Sequence, residues 1–381
     1  MRRESICFIS GSSPVFLGGI SLYQKNLIEY AKKRKLGLDF TWIFPGKENR
    51  KFTFEKIRCI EIKVPEIPFL KELFFAKKVK KIISRVFFDI INTHANWGSF
   101  LKNYQKIKGQ KIIHTYHGAD IPYWKTQFER FGFFKYLFYP VLSGIRSLGK
   151  PPIKKANKII CVSEHVEKEI EETYGKRKNV YVIQTGVGLE RFKRLNKSNS
   201  RKELKLEVNL FYGLYVGRGG YWIKGLDRAI NLGREIYNLN KNFRLIVIGT
   251  DENKCKKYLN EPFVIYKGII SQDKLNKYYS ANDFFFSLSR YEGGDPTLSV
   301  GEAMASGCLL VCSKDSNQEI IKDKINGLII SEFGKKDAKK ILETFNDKKL
   351  RERIIKKSRE IIKELSLDKW GEKYFEVLDV I

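Results

Sequence analysis

Short apolar runs rich in β-branched and aromatic residues recur along this chain, and charged segments with helical periodicity separate them. Continuous apolar runs of this length are typical of parallel strands that helices cover on both faces. The predicted strands form two series, which cover 5–10, 40–44, 59–64, 89–93, 111–116, 158–162 and 180–184, and then 210–216, 243–248, 263–266, 283–288, 309–312 and 327–330. The pattern predicts an α/β protein with two doubly wound, Rossmann-like domains.

The polar and basic stretch 191–205 lies between the two series and is interpreted as a linker. The expected segments are an N-terminal domain over 1–190, a C-terminal domain over 206–365 and a final helix over 366–381. That helix has Trp370, Tyr374 and Leu378 on one face and is expected to pack back toward the N-terminal domain. Doubly wound folds bind ligands at the carboxyl ends of their strands, so a central cleft between the domains is the expected site.

The composition is strongly basic, with 72 Lys and Arg against 43 Asp and Glu and a formal net charge of +29. Residues 1–190 hold 35 basic and 17 acidic side chains, a net charge of +18. This balance implies an anionic partner: nucleic acid, anionic lipid headgroups or a polyanionic substrate. The six cysteines are scattered and are expected to be buried thiols. The chain shows no signal peptide and no apolar run long enough for a transmembrane helix, so a cytoplasmic protein is expected.

The most informative motif spans 291–307 and follows a predicted strand. Asp295 and Pro296 predict the start of a helix, and Gly307 predicts its end. A glycine-rich turn from strand to helix presents backbone N–H groups and the positive end of a helix dipole, which suit a phosphate. Helical side chains lean toward the N-terminus, so the Glu302 carboxylate is expected to face a ligand in this turn.

A second glycine-rich turn follows the predicted strand 210–216 and carries two cations, Arg218 and Lys224. An arginine fork and a compact lysine charge at such a turn can grip a diphosphate. Solvated surface cations are the alternative interpretation in a chain this basic. The turn is not a P-loop, since it lacks the Gly-x4-Gly-Lys-Ser/Thr pattern.

In the first half, the stretch 11–20 contains Gly18 and Gly19 and lies between the first strand and a predicted helix, where backbone amides can meet phosphate. The acids contain no Asp-x-Asp pair, so no metal ligand set is predicted.

Four histidines occur in the chain. His117 follows the predicted strand 111–116 and is the candidate active-site group, whereas His114 lies within the strand and is interpreted as structural. His94 and His165 are given little weight.

Taken in order, these motifs resemble the family 4 retaining glycosyltransferases of GT-B fold (glycosyl transferases group 1). The matching residues are Gly18-Gly19, His117-Gly118, Val162-Ser163-Glu164, Thr185-Gly186-Val187, Val216-Gly217-Arg218, Lys224-Gly225, Tyr266-Lys267-Gly268, Ser289 to Gly293 and Glu302 to Gly307. The resemblance covers nearly the whole chain and is strongest over 210–310. It implies a nucleotide-sugar donor (UDP- or GDP-sugar) held mainly by the C-terminal domain, an acceptor held mainly by the N-terminal domain, and neither a metal nor another cofactor.

The resemblance also implies roles by position. Arg218 and Lys224 would neutralise the donor diphosphate as it leaves, and Glu302 would bind the ribose hydroxyls. His117 would contact the donor sugar, and Gly19 would let the N-terminal loop approach the diphosphate. The other implied donor-binding residues are Gly18, Gly217, Gly293, Gly294, Asp295, Thr297 and Leu298. Fixed cations in a closed cleft stabilise a leaving group without a metal.

The chain departs from the family pattern at two places. The family usually has seven residues between its paired glutamates, whereas Glu292 and Glu302 have nine between them. The first acidic role passes either to Glu292, which is favoured, or to Asp295. The family's Asn-Gly-Val-Asp stands here as 185–188 with the sequence Thr-Gly-Val-Gly, so a contact from that acid is absent.

Two stretches of the first half suggest the acceptor side. Residues 123–139 contain nine aromatics, and basic residues follow at Arg146, Lys150, Lys154 and Lys155. Residues 69–88 have apolar side chains at helical spacing among lysines, and a core-facing apolar side with solvated lysines is equally compatible there. Basic amphipathic segments with aromatics favour contact with an anionic membrane. The sequence therefore predicts a peripheral enzyme that acts on a lipid-linked or membrane-proximal glycan acceptor.

Two other functions are considered. A nucleic-acid-binding protein would account for the charge and the aromatics, but it leaves Glu302 and the glycine turns unused, and nucleic acid is not an expected partner. An epimerase or phosphorylase of the same fold is the other alternative.

Overall fold

The computed structural model describes residues 3–16, 18–67, 70–217, 221–249 and 252–381. The chain divides into two compact units, Met1–Gln184 with Asp368–Ile381 (the first unit) and Thr185–Leu367 (the second unit). In each unit a mainly parallel sheet is covered by helices, as the sequence predicts.

The strands of the first unit are β1 Ser5–Ile9, β2 Asp39–Gly46, β3 Arg50–Phe54, β4 Ile57–Lys63, β5 Ile90–His94, β6 Lys111–Tyr116, β7 Lys158–Cys161 and β8 Val180–Val182. Its helices before the second unit are α1 Gly19–Lys33, α2 Leu70–Ile83, α3 Asp120–Glu129, α4 Tyr139–Lys155 and α5 Glu164–Tyr174, with 3-10 segments at Ala95–Asn103 and Gly132–Phe138. The strand order is β3-β4-β2-β1-β5-β6-β7-β8. Every pair is parallel except β3 with β4, an edge hairpin that the sequence analysis did not predict because β3 is short and polar.

The strands of the second unit are β9 Phe211–Val216, β10 Phe243–Ile248, β11 Val264–Tyr266, β12 Phe284–Ser287, β13 Leu309–Ser313 and β14 Leu328–Ile330. Its helices are α6 Lys197–Glu203, α7 Leu226–Leu239, α8 Glu252–Leu259, α9 Gln272–Ala281, α10 Leu298–Ser306, α11 Lys335–Asn346 and α12 Lys348–Ile362, with 3-10 segments at Lys314–Ser316 and Lys363–Leu365. The all-parallel order β11-β10-β9-β12-β13-β14 places β9 and β12 side by side at the centre. Cores of apolar side chains cover both faces of this sheet.

The stretch 191–205, interpreted from the sequence as a linker, is instead a built part of the second unit. It contains α6, and Arg201 is only 7% exposed. The Arg201 guanidinium donates to the Asp283 carboxylate at 2.6 Å and to the Ala281 carbonyl at 3.0 Å. The linker interpretation was wrong because a basic, polar composition does not reveal that one arginine has a buried partner.

The last helix, α13 Leu367–Val377, belongs to the first unit from Asp368 onward. Trp370, Tyr374 and Leu378 are buried, as the spacing predicts. The Trp370 ring meets the Tyr23 ring edge-on at 4.7 Å, and the Tyr374 hydroxyl accepts a hydrogen bond from the Asn92 amide.

All six cysteines are buried free thiols, which confirms that prediction. In the part of the chain that the structure describes, no helix combines the length and the apolar character needed to cross a bilayer.

Candidate active site

The second unit places its two glycine-rich turns next to each other. β9 is paired with β12 at the centre of the sheet. The strand that follows β9 in sequence, β10, lies on one side of this pair, and the strand that follows β12, β13, lies on the other side. This is the topological switch point of the sheet, where doubly wound folds bind ligands beyond the carboxyl ends of the strands. The segments 217–225 and 288–297 follow these two carboxyl ends.

Lys224 and Glu292 meet at this switch point. The Lys224 ammonium donates to both carboxylate oxygens of Glu292, at 2.8 and 2.7 Å. The Ser289 hydroxyl donates to the same carboxylate at 2.6 Å, so Glu292 is fixed from two sides. The Lys224 side chain is 34% exposed. An ammonium has three N–H donors. Glu292 accepts from two of them, so the third can bind an anion.

The backbone around Lys224 needs the glycine that follows it. Gly225 has a φ of +69° and is the N-cap of α7. A Cβ at this position would lie 2.0 Å from the carbonyl oxygen of Leu288. The turn of Lys224 therefore packs backbone-to-backbone against the end of β12, which brings Lys224 to Glu292.

Arg290 holds the same turn, a role that was not predicted for it within the matching stretch Ser289 to Gly293. Its guanidinium lies 3.4 Å from the ring centre of Trp222 and donates to the Trp222 carbonyl at 2.6 Å. It also forms a two-pronged pair with the Asp227 carboxylate at 2.8 and 2.6 Å. Arg290 thus holds the turn in place, and Glu292, two residues later, orients Lys224.

Arg218 lies outside the described residues, as do the two glycines after it. Gly217 is described at the end of β9, and its N–H donates to the Ile248 carbonyl at 3.0 Å. The structure therefore describes Lys224 alone of the two cations, and their joint role at a diphosphate stays a prediction.

The turn after Glu292 is held by the segment that follows β13. The Gln318 amide donates to the Gly294 carbonyl at 2.7 Å and accepts from the Thr297 N–H at 2.9 Å. Both Asp295 oxygens accept from the Ile320 N–H at 3.1 Å, and Asp295 is buried. Gly293 is buried in the same turn.

The predicted helix start at Asp295-Pro296 was wrong, because Thr297 is the N-cap and α10 begins at Leu298. The Thr297 hydroxyl accepts from the Val300 N–H at 3.3 Å, while the Asp295 carboxylate is used by a different segment. The first N–H groups of a helix have no partner within it, and those of Leu298 and Ser299 have no acceptor among the described residues. Gly307 ends the helix with a φ of +82°, as predicted.

Glu302 lies on α10 and is buried, with 5% of its surface exposed. Its two oxygens accept from the Gln272 amide at 2.7 Å and from the Tyr279 hydroxyl at 2.9 Å. Burial raises the pKa of the Glu302 carboxyl to about 7, against these hydrogen bonds, which lower it. Both partners belong to α9, and the sequence analysis assigned no role to either of them. Gln272 begins α9 and Tyr279 lies seven residues later, so the spacing of about two turns places both on one face but does not show which carboxylate they bind.

The first unit holds the other predicted glycines. Gly18 is the N-cap of α1, and the Phe16 ring lies 2.5 Å from where its Cβ would be. A Cβ at Gly19 would have no neighbour within 4 Å, so this position faces open space. Leu17, the residue before Gly18, lies outside the described residues.

His117 is joined to His94, a residue that the sequence analysis set aside. His94 Nδ1 lies 2.9 Å from His117 Nε2, and the rings are stacked with centres 5.2 Å apart. The Tyr23 ring meets His117 edge-on at 4.7 Å. The topology explains this pair, because β5 and β6 are parallel neighbours and both histidines stand at their carboxyl ends. Two histidines at the ends of adjacent predicted strands were the signal that could have found it.

The histidine cluster is neutral. Burial lowers the pKa of His117 and of His114 to about 3, and it lowers the pKa of His94 well below the usual value. His114 contacts the Thr93 hydroxyl inside the sheet, consistent with the structural role expected for it. No group of three or more His, Cys, Asp or Glu within the described ranges could hold a metal ion.

The two stretches predicted to face the acceptor differ in exposure. In α2, Phe75 and Val79 are buried, whereas Leu73 and Phe74 are about half exposed at 54% and 51%, so part of the apolar side belongs to the core. Phe69 lies outside the described residues. The 3-10 segment Gly132–Phe138 has no buried residue, and Phe133 and Leu137 are 82% and 73% exposed.

Comparisons with known proteins agree with this architecture. A family model described as Glycosyl transferases group 1 matches residues 196–361, and one described as Glycosyltransferase Family 4 matches residues 17–191. The alpha-monoglucosyldiacylglycerol synthase of Streptococcus pneumoniae is 26% identical over 291 residues, which cover 70% of this chain and 63% of that protein.

Two solved structures share the fold at low sequence identity. Sucrose-phosphate synthase from Thermosynechococcus elongatus has a TM-score of 0.83 at 19% identity, with 99% of this chain and 98% of that chain covered. Anabaena HepE in complex with UDP-glucose has a TM-score of 0.72 at 16% identity, with 99% and 100% covered. The chain therefore belongs to the family 4 glycosyltransferases of glycosyl transferases group 1, and it is an enzyme with the GT-B fold.

Proposed function

We infer that this glycosyltransferase uses a nucleotide diphosphate sugar, transfers the sugar with retention of configuration and needs no metal ion. The observation that carries the proposal is Lys224 at the switch point of the second unit, oriented by Glu292 beside the N-terminus of α10. Such a place suits a diphosphate, since a fixed cation and backbone N–H groups can both reach it. The UDP-glucose in the HepE complex makes a UDP-sugar the first donor to test.

In this proposal, negative charge develops on the departing diphosphate, and Lys224 stabilises it together with Arg218. A preorganised cation costs no reorganisation at the moment of reaction, which is why it can replace a metal ion. Glu292 holds Lys224 in place and thereby fills the first acidic position. Asp295 is the weaker candidate for that position, since both of its oxygens bind the Ile320 backbone.

The other residues complete the donor site. Glu302 accepts the ribose hydroxyls in place of its contacts with α9, and Gly293 to Leu298 meet the sugar and phosphate through their backbone. In the first unit, His117 contacts the donor sugar, and Gly18 and Gly19 admit the diphosphate. The open space at Gly19 supports this role.

The acceptor in this proposal is a lipid-linked or membrane-proximal glycan, at which the enzyme works as a peripheral protein on an anionic membrane. The support is the exposed apolar segment Gly132–Phe138, the basic charge of the first unit, and a relative whose name specifies a diacylglycerol product. Among the described residues no observation favours the epimerase or phosphorylase alternative, and membership in a glycosyltransferase family gives the nucleic-acid alternative no support.

A thermal-shift panel of UDP-, GDP- and ADP-sugars, each with and without Mg²⁺, tests the donor site. One nucleotide sugar should raise the melting temperature equally with and without the metal. Replacing both cations (Arg218→Ala with Lys224→Ala) should abolish that shift, and the double substitution of the exposed Lys348→Ala and Lys349→Ala is the matched control. A full shift in the first double variant would remove the donor assignment.

A further inference from the structure

The first unit contains a basic cavity that none of the proposed donor residues enters. It has a volume of about 480 Å³ and lies between α4 and the end of α5. Its polar lining consists of three cations and four hydroxyl side chains: Arg146, Lys150, Arg177, Ser143, Ser147, Thr173 and Tyr174. None of its lining residues is acidic. The hydroxyls of Ser143 and Thr173 donate to the carbonyls of Pro140 and Glu169, so the three cations are the main groups that the cavity offers to an anion. A concave site with several cations and no carboxylate in its lining fits a phosphate group.

The sequence of α4 builds one wall of this cavity. Ser143, Arg146, Ser147 and Lys150 recur at the i, i+3, i+4, i+7 spacing that puts side chains on one face of a helix. Leu142 and Ile145 lie off this stripe and are buried in the core, whereas the buried Ile153 lines the cavity. The packing of these buried residues therefore turns the polar stripe toward the cavity, without contacts among the polar side chains themselves.

The cations of the cavity have no anionic partner in the described part of the chain. One Arg146 nitrogen donates to the Thr173 carbonyl at 2.7 Å, which fixes the guanidinium and leaves its other N–H groups for a ligand. Lys150 and Arg177 are exposed and form no ion pair with any described residue. Like charges gathered around one cavity repel one another, and a bound anion removes that cost.

An exposed apolar segment leads directly into the same helix. Gly132–Phe138 ends where α4 begins, and it exposes Phe133, Phe134 and Leu137 by 82%, 67% and 73%. The Tyr136 ring contacts the Tyr139 ring of α4 at 5.3 Å, so the segment and the helix are connected by packing as well as by sequence. Large exposed apolar clusters mark interaction surfaces, and aromatic rings beside cations suit the headgroup region of an anionic bilayer.

We propose that the cavity between α4 and α5 binds the phosphate of an anionic phospholipid headgroup, while Phe133, Phe134 and Leu137 enter the adjoining acyl region. A soluble phosphate ester would use the cavity but would leave the apolar segment uncovered, and this is why the proposal commits to a lipid. The inference rests on the proposed function in one respect, the membrane-proximal acceptor, and it names the site that brings the enzyme to that membrane.

Flotation of the full chain with phosphatidylcholine vesicles, with and without phosphatidylglycerol, tests the cavity. The variants Lys150→Gln with Arg177→Gln, and the same pair with Arg146→Gln, should raise the lipid concentration for half-maximal binding at least tenfold, given roughly 1 kcal/mol per cation near an anionic surface. The double variant keeps the Arg146 contact with Thr173, so its result does not depend on that structural bond.

Two matched controls on α12 of the second unit remove the same numbers of charges. They are Lys348→Gln with Lys349→Gln, and the same pair with Lys356→Gln, all at exposed positions. Both should alter binding by no more than a factor of about three. Equal losses in the controls and the cavity variants would reduce the effect to net charge and overturn the proposal.

The apolar part has its own test. Phe133→Ser with Phe134→Ser should weaken binding to phosphatidylglycerol vesicles at least tenfold and leave the protein folded, because both side chains are mostly exposed. Competition by free glycerol 3-phosphate, together with no vesicle binding by the unchanged protein, would assign the cavity to a soluble phosphate ester and overturn the lipid assignment. The UDP-sugar thermal shift should persist in every cavity variant. If that shift is absent even in the unchanged protein, the donor proposal fails while the vesicle result stands.

Discussion

The neutral pair of His94 and His117 has a defined proton arrangement. His94 Nε2 is buried with no hydrogen-bond partner among the described residues, and an unpaired acceptor is more easily tolerated there than an unpaired N–H. His94 Nδ1 then carries the proton and donates to His117 Nε2. His117 consequently has its own proton on Nδ1, where it can donate to a sugar hydroxyl.

Two substitutions of His94 should separate this positioning role from packing. Asparagine places an amide near the position of Nδ1 and can keep the hydrogen bond, whereas leucine removes it. We expect His94→Leu to lower kcat about tenfold, the value of about one hydrogen bond, and His94→Asn to lower it less. Steady-state kinetics with melting temperatures measured in parallel check this, and equal kcat losses in both variants would contradict the orienting role.

Glu302 predicts a pH dependence of stability. Its pKa is raised by burial from an ordinary value of 4.5 to about 7, so the folded chain keeps a proton that the unfolded chain releases. Its contribution to the free energy of unfolding is therefore full below pH 4.5 and is lost as the pH rises through 7, a change of about 3 kcal/mol.

Chemical denaturation of the unchanged protein and of Glu302→Gln, at intervals from pH 5 to pH 8, isolates this effect. The glutamine stays neutral and can still bond to Gln272 and Tyr279, so the variant should become the more stable protein as the pH rises. A difference between the two proteins that stays constant with pH would contradict the raised pKa.

At the scale of the element, α6 depends on a buried ion pair. Asp283 accepts from Arg201 at 2.6 Å, from Lys197 at 2.7 Å and from the Tyr212 N–H at 2.8 Å. The Arg201 side chain is 9% exposed and that of Lys197 is 43% exposed, so one carboxylate has a buried and an exposed cation. Removing the buried partner leaves a charge without compensation, whereas the exposed one is screened by water.

The two cations of Asp283 therefore form a matched pair for mutation. Arg201→Met should lower the free energy of unfolding of the second unit by about 3 to 5 kcal/mol. Lys197→Met should lower it by less than about 1 kcal/mol. Denaturation followed by fluorescence checks both, and similar effects of the two substitutions would show that α6 is not held by its buried pair.

Some elements were predictable because their signal is local. All thirteen strands predicted from apolar runs are present. The central ones are apolar along their length because they are buried on both faces, whereas the edge strands β8 and β11 are only partly buried. The end of α10 at Gly307 was predictable for a similar reason, because a left-handed residue after a helix favours glycine.

The features that sequence analysis missed depend on pairing across the fold. The N-cap of α10 lies at Thr297 because a distant segment uses the Asp295 carboxylate, and α6 is ordered because Arg201 meets Asp283. The candidate site shows the same division. Lys224, Glu292 and Glu302 were predicted from motifs. The contacts of Gln272 and Tyr279 with Glu302, and of Arg290 with Asp227, become visible only when strands and helices are placed together.

At the scale of the whole molecule, the titrating groups are divided unequally between the units. All four histidines of the chain lie in the first unit, and His94, His114 and His117 have lowered pKa values. A lowered pKa contributes stability above the unfolded value of about 6.5, and this stability is lost as the pH falls. For the fully buried His114, whose folded pKa is about 3, the loss at pH 5 is about 2 kcal/mol. Burial raises the pKa of Asp120 to about 6, so this one carboxyl stabilises the first unit as the pH falls and offsets part of the loss.

The second unit responds to acid in the opposite direction, because Glu302 gains its proton as the pH falls from 7 to 5. We therefore expect acidification to open the first unit while the second unit stays folded. Hydrogen exchange with peptide mapping at pH 7 and pH 5, corrected for the intrinsic exchange rates, checks this: peptides from 3–184 should lose protection, and peptides from 185–367 should keep it. The Glu302→Gln variant is the control, since it should remove the gain of the second unit without changing the loss in the first. Loss of protection in both units at the same pH would mean that the buried histidines do not determine the pH at which the first unit unfolds.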